Sequence, residues 1–183
     1  LICNLGGPEM TVRILVTNDQ PQVTDMAPQG SLNLFTNYGA KVYGQHFLPF
    51  EHQAKVWNDV ENGKEVLLAA GTASGKTMAI VVPLIVKLRR KEISRVLLMY
   101  PTVALLEDQF RVLKTMSELS GLQIGRIQGG MNRSELISAL VKPVIVATPD
   151  ALYWFFRKNV KYNGLLIYGL CQIDEFVLDE AHL

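Results

Sequence analysis

Apolar residues recur along this chain in two rhythms from about residue 50 onward. Short unbroken runs of strand length alternate with longer stretches of helical spacing. The pattern predicts a helix over His52–Asn62, ending near Gly63, then a strand over Glu65–Ala70 (EVLLAA). A helix follows over Lys76–Lys91, with Pro83 as a kink point, and a strand over Arg95–Tyr100 (RVLLMY). The next pairs are a helix over Ala104–Leu119 with a strand over Leu122–Gln128, and a helix capped by Asn132 and running to about Leu140 with a strand over Pro143–Ala147 (PVIVA). A helix begins over Asp150–Arg157, and a last strand covers Ile173–Asp179 (IDEFVLD). Strands alternating with helices point to an α/β fold with a parallel sheet covered on both faces. In such sheets ligands sit at the carboxyl ends of the strands.

Residues 1–45 are less regular. Pro8, Pro21 and Pro28 interrupt short apolar runs, and only Val12–Val16, opened by Met10, reads clearly as a strand. One or two strands with irregular connections are expected there. This gives an N-terminal segment over 1–45 and a regular α/β unit over 46–183.

Composition narrows the possibilities. Of 183 residues, 49% are hydrophobic and 19% charged, which excludes an intrinsically disordered chain. The net charge of +1 excludes nucleic-acid binding by bulk electrostatics, so any such contact must be local. Cys3 and Cys171 stand far apart with no CxxC, which suggests neither a zinc site nor a disulfide framework and fits a reducing, cytoplasmic compartment. No apolar run approaches the roughly 18 residues of a membrane span, so no membrane partner is expected. Leu1–Leu5 lacks the pattern of a signal peptide. The chain opens on Leu1 and stops at Leu183, and it reads as a fragment, truncated at its C-terminal end.

Two motifs carry chemistry. Ala70–Thr77 (AGTASGKT) lies between a strand and a helix. Backbone N–H groups of Gly71, Thr72, Ala73, Ser74 and Gly75, with the helix N-terminus behind them, form an anion cradle suited to ATP phosphates. Lys76 would reach the β- and γ-phosphates, and the Thr77 hydroxyl would ligate Mg²⁺. Ala70 stands where the strict phosphate-loop pattern has Gly. The second motif is Asp179–His182 (DEAH), at a strand end about 102 residues beyond Thr77. Asp179 would hold Mg²⁺, and Glu180 would orient and deprotonate the attacking water.

With these in place, residues 50–183 resemble the first RecA-like domain of superfamily 2 DEAH-type helicases. AGTASGKT resembles motif I. Pro101–Gln109 (PTVALLEDQ) resembles motif Ia, Ala147–Leu152 (ATPDAL) motif Ib, and DEAH motif II, with Gly129-Gly130 matching the glycine pair usual between Ia and Ib. The resemblance implies contacts from Pro101, Thr102, Gly130, Thr148 and Asp150 to the sugar–phosphate backbone of one strand, most readily single-stranded DNA. It also implies that Gln53, in PFEHQ, acts as the Q motif and pairs with adenine, with Phe50 near the base, and that His182 links the ATP site to a second domain.

Two basic groups remain. Lys87, Arg89, Arg90 and Lys91 end a helix, where cations favour the dipole. Arg157, Lys158 and Lys161 follow Tyr153-Trp154-Phe155-Phe156, a run that reads mainly as core and otherwise as a stacking surface for bases.

The sequence therefore reads as the N-terminal motor domain of an ATP-dependent helicase or translocase. The stretch from Ala147 to His182 is most similar to CRISPR-associated type I helicases lacking their own nuclease domain, which implies foreign DNA and a CRISPR effector complex as partners. The TASGK string of Thr72–Lys76 is shared with a repair-helicase subgroup. A third reading, of another class, is a non-catalytic nucleic-acid-binding module with a vestigial nucleotide site. The resemblance also implies that this stretch alone is inactive, because a second RecA-like domain supplies arginines to the γ-phosphate. It further implies that the apolar edges at Val66–Ala69 and Phe176–Leu178, where a strand following motif II would lie, are left unpaired or forced to pair directly.

Overall fold

The computed structural model describes residues 2–4, 12–17, 22–70, 75–158 and 163–179. Among the described residues seven strands form one sheet: β1 (Ile2–Asn4), β2 (Val12–Thr17), β3 (Glu65–Ala70), β4 (Val96–Met99), β5 (Ile124–Ile127), β6 (Val144–Ala147) and β7 (Glu175–Leu178). Their spatial order is β2-β3-β1-β7-β4-β6-β5. Every neighbouring pair that excludes β1 is parallel.

The helices are α1 (Gln29–Tyr43), α2 (Glu51–Glu61), α3 (Lys76–Arg89), α4 (Val103–Ser120), α5 (Arg133–Leu140), α6 (Pro149–Lys158) and α7 (Asn163–Leu170). They split between the two faces of the sheet. Alternation along the strands makes this possible, since successive side chains point to opposite faces. On β4, Val96 and Leu98 join α1–α4 in one core cluster, and Leu97 joins α5–α7 in the other. On β6, Val144 and Val146 face the first cluster, Ile145 and Ala147 the second. Among the described residues no helix is long and apolar enough to cross a membrane.

Local chemistry sets the boundaries. Thr102 caps α4, its Oγ1 accepting from Leu105 N at 3.2 Å, and Gly121 ends that helix with φ 73°. Asn132 and Glu135 form a reciprocal capping box on α5. Asp174 Oδ2 accepts from Ser94 N at 2.6 Å and Arg95 N at 3.0 Å, which fixes the entry of β4 beside that of β7.

Three expectations are corrected. Residues 29–43 form a helix, α1, where irregular connections were expected. Gly30 and Gly39 weaken its local signal, yet Gly39 is what admits Phe47, since a Cβ there would stand 2.7 Å from the Phe47 ring. The edges at Val66–Ala69 and Phe176–Leu178 are neither wholly open nor paired to each other: β1 lies antiparallel between β3 and β7, with Ile2 opposite Val66 and Ile2–Asn4 opposite Val177–Glu175. Finally, Lys87 is not a solvated cation at a helix end. It is buried and paired with the buried carboxylate of Glu175. Arg90 does lie at that end, with Nη1 2.8 Å from Glu61 Oε2.

Candidate functional site

Strands β3, β7, β4, β6 and β5 run parallel, so their carboxyl ends share one edge of the sheet. β3 ends there at Ala70, α3 starts there at Lys76, and β7 ends there just before Asp179. Only β1 separates β3 from β7 among the described residues, so they lie about 9–10 Å apart side by side, and β3 runs about three residues further along the edge than β7. Lys76 and Thr77 are the first two residues of α3, and Asp179 lies one residue past β7. Gly71, Thr72, Ala73 and Ser74, together with Glu180 and His182, lie outside the described residues.

Gly75 is the N-cap of α3, with φ 72° and ψ 28° in the left-handed region. A second constraint also selects glycine. A Cβ would stand 2.4 Å from Gln53 Nε2. Gln53 is buried at 2% exposure, and its amide joins two loops. Nε2 donates to Gly75 O at 3.0 Å, and Oε1 accepts from Phe50 N at 2.9 Å. Trp57, one turn further along α2, donates from Nε1 to Met78 O at 3.1 Å. Thus α2 grips the first turn of α3 twice.

A pocket of about 540 Å³ opens beside this grip, lined by Phe35, Tyr38, Phe47, Phe50, Gln53 and Met78 among others. After its two bonds the Gln53 amide keeps one acceptor lone pair and one N–H. Burial, and secondarily Tyr43, hold the Tyr38 phenol above its ordinary pKa.

The donor set suits Mg²⁺ bound together with phosphate. Thr77 and Asp179 offer a hydroxyl and a carboxylate, and Mg²⁺ prefers few protein oxygens plus phosphate oxygens and water. Among the described residues no group of three or more His, Cys, Asp and Glu gathers into a cage of its own.

The other half of the edge is built by β4, β6 and β5. Pro101 and Thr102 follow β4, Gly129 and Gly130 follow β5, and Thr148 and Asp150 flank the start of α6. Pro101, Thr102, Gly130 and Asp150 are exposed, whereas Thr148 is 5% exposed. Thr148 Oγ1 accepts from Ala151 N at 3.2 Å and so caps α6 as Thr102 caps α4. Each hydroxyl keeps its hydrogen to donate. Gly130 takes φ 87° with no atom near its would-be Cβ. Val103, Gly129, Thr148 and Asp150 border one pocket of about 430 Å³.

Sequence reasoning missed Tyr100. It is 4% exposed, between β4 and Pro101. Burial, and secondarily the Asp179 carboxylate, push its phenol well above the ordinary range. Its N–H donates to Ala147 O at 3.1 Å, while the preceding Met99 O accepts from Asp179 N at 3.0 Å. The end of β4 is therefore bonded to both halves of the edge. An aromatic closing an apolar strand gives no sequence signal for this.

The sequence pattern of the DEAD/DEAH box helicases matches residues 50–183. The chain belongs to that family. Among curated members it is 27% identical over 141 residues to the ATP-dependent helicase hrq1 of Schizosaccharomyces pombe, covering 73% of this chain and 13% of that protein. It is 33% identical over 137 residues to the ATP-dependent RNA helicase DBP3 of Saccharomyces cerevisiae, covering 73% of this chain and 25% of that one. The chain thus spans a quarter or less of either DEAD/DEAH box relative. The DUF1998 helicase MrfA, solved bound to DNA and AMPPNP, superposes with a TM-score of 0.61 at 21% identity, over 79% of this chain and 20% of that one. This likeness establishes the shared helicase-domain fold.

Proposed function

We propose that this chain is the ATP-binding part of a motor that tracks along or separates nucleic-acid strands. One observation carries the reading. A phosphate-loop helix, the DEAH strand end and two capped helix starts all lie along the same carboxyl edge of one sheet.

In this reading the loop of Gly71, Thr72, Ala73, Ser74 and Gly75 cradles the phosphates, and Lys76 neutralises them. Gln53 contributes to the base pocket. Mg²⁺, held by Thr77 and Asp179, would offset charge on the β- and γ-phosphates. Glu180 takes the proton of the attacking water. Thr102, Gly130, Thr148 and Asp150 hold the backbone of a single strand through N–H and O–H donors, with Pro101 packing beside it, and such donors position a strand without reading its sequence. Single-stranded DNA is the proposed track, and a cytoplasmic setting goes with it. The similarity of hrq1, DBP3 and MrfA supports the motor assignment in general. The more specific roles, a CRISPR-associated helicase acting with an effector complex or a repair helicase, rest on the sequence resemblance of Ala147–His182 and of Thr72–Lys76 respectively.

The test is ATP turnover by the intact protein with and without single-stranded DNA or RNA. Stimulation by a single strand, abolished in Glu180→Gln with ATP binding retained, is expected. Unchanged hydrolysis in Glu180→Gln would overturn the assignment of the DEAH motif.

A further inference from the structure

Helix α6 carries four aromatic residues in succession, and helical geometry sends them to different places. Phe155 is fully buried. Tyr153 is 54% exposed and holds the Arg157 guanidinium 5.5 Å from its ring centre. Trp154 is only partly in the core. It packs on the second core cluster and also lines the 430 Å³ pocket between α4, the end of β5 and α6. Val103, Leu106 and Ile127 form aliphatic walls, and Val103 is 59% exposed. The Gly129 backbone passes close to the indole: a Cβ there would stand 3.5 Å from Trp154 Cγ, so any longer side chain would crowd the opening.

One cation borders this pocket in a fixed position. Arg126 Nη2 lies 2.5 Å from Glu107 Oε1, and its guanidinium sits 5.9 Å from the Phe110 ring centre. With the Gln128 amide turned to satisfy both groups, its oxygen accepts from Arg126 Nη2 at 3.0 Å and from Nε at 2.5 Å. A guanidinium held in this way loses little freedom when it meets an anion.

An aromatic wall and aliphatic walls match a flat apolar base; Arg126, although paired with Glu107 and sharing the lining with the Asp150 carboxylate, keeps Nη1 for a phosphate. A base inside a duplex is stacked and cannot enter. We infer that this pocket takes one unstacked base of a single-stranded nucleic acid, with Trp154 as its aromatic wall and Arg126 beside its phosphate. The inference rests on the proposed nucleic-acid motor and adds a base-binding position to its backbone contacts. It makes grip on the track depend on bases as well as on phosphates.

The test compares the intact protein's affinity for oligothymidine and for an abasic oligomer of the same length. The parent should prefer oligothymidine by about 5- to 100-fold, the range of one base–aromatic contact. Trp154→Ala should erase most of that preference while leaving affinity for the abasic oligomer unchanged, and Trp154→Phe should keep much of it. Equal losses on both oligomers mean a merely structural role and overturn the inference. A second measurement does not depend on how Trp154→Ala folds. The emission difference between parent and Trp154→Phe isolates the Trp154 signal, while Trp57 is fully buried and hydrogen-bonded to Met78 O. Oligothymidine should quench that difference and the abasic oligomer should not; an unquenched difference overturns the inference. A parent that binds both oligomers equally well overturns this inference alone. A parent that binds neither overturns the proposed function with it.

Discussion

The side-chain amide of Gln53 donates a 3.0 Å hydrogen bond to the main-chain carbonyl of Gly75, the residue just before the phosphate-loop lysine. The same amide accepts from Phe50 N. Both partners are main-chain groups, so the Gln53 side chain acts here as a brace between two loops. Gln53→Ala leaves the part-buried Phe50 N–H and Gly75 carbonyl without it, which should cost about 0.5–1.5 kcal/mol of stability per lost bond. Nucleotide affinity should fall as well. Paired thermal melts and nucleotide titrations check this, and an unchanged melt would remove the brace from the argument.

Gly75→Ala meets two obstacles, the positive φ and the 2.4 Å approach of Gln53 Nε2. The backbone part alone should cost about 1–2 kcal/mol. Because Gln53→Ala removes the second obstacle, the double variant should lose less stability than the sum of the singles. A double-mutant cycle by denaturant unfolding measures the shortfall.

Lys76→Ala should abolish ATP turnover in the intact protein. On the proposed function it deletes a charge-assisted contact to phosphate worth about 1.5–3 kcal/mol. Calorimetric titration of nucleotide together with steady-state turnover tests both effects, and parental turnover would remove Lys76 from the nucleotide site.

Lys87 and Glu175 join α3 to β7 inside the core, with side chains 8% and 4% exposed. Lys87→Met leaves a buried carboxylate unpaired and should destabilise by about 3–5 kcal/mol. Replacing Glu175 by Met as well should restore most of the loss, because two apolar side chains of similar volume satisfy the site. Denaturation midpoints of the parent and the two variants decide the matter.

Tyr100 gives a pH signature. Its folded pKa is raised above the ordinary 10.0, first by burial and then by Asp179. Below pH 10 the phenol is neutral in both folded and unfolded chains, so this contribution is fully present. As pH rises through 10 the unfolded chain ionises first, and stability falls by up to about 1.4 kcal/mol per pH unit. Tyr100→Phe should therefore flatten the alkaline limb of a stability–pH curve.

The strands from β3 onward were legible because a sheet buried on both faces makes each strand a short apolar run, as in Val144–Ala147. Their helices were legible through caps such as Asn132 and through spacing. By contrast, α7 reads Asn-Gly-Leu-Leu-Ile-Tyr-Gly-Leu, apolar almost all round, with glycines at both ends of the run and no charge to mark a face. Gly169 is there for packing, since a Cβ would meet Leu140 Cδ2 at 2.7 Å. Three residues, Ile2–Asn4, carry no pattern at all, and their place comes from the two strands that flank them. Motif spacing placed Lys76, Thr77 and Asp179 just beyond strand ends, where they lie. The Gln53–Gly75 bond and the double attachment of β4 did not follow from it, because contacts between residues far apart in sequence leave no local trace.

The strand order also sets a schedule. β7 sits next to β4 and is made about 80 residues after it. At about 5–20 residues per second, the ribosome needs roughly 4–16 s to travel from Met99 to Leu178. Throughout that interval the apolar rim of Val96–Met99 waits without its central neighbour. Birth of this protein is thus a race between synthesis and self-association.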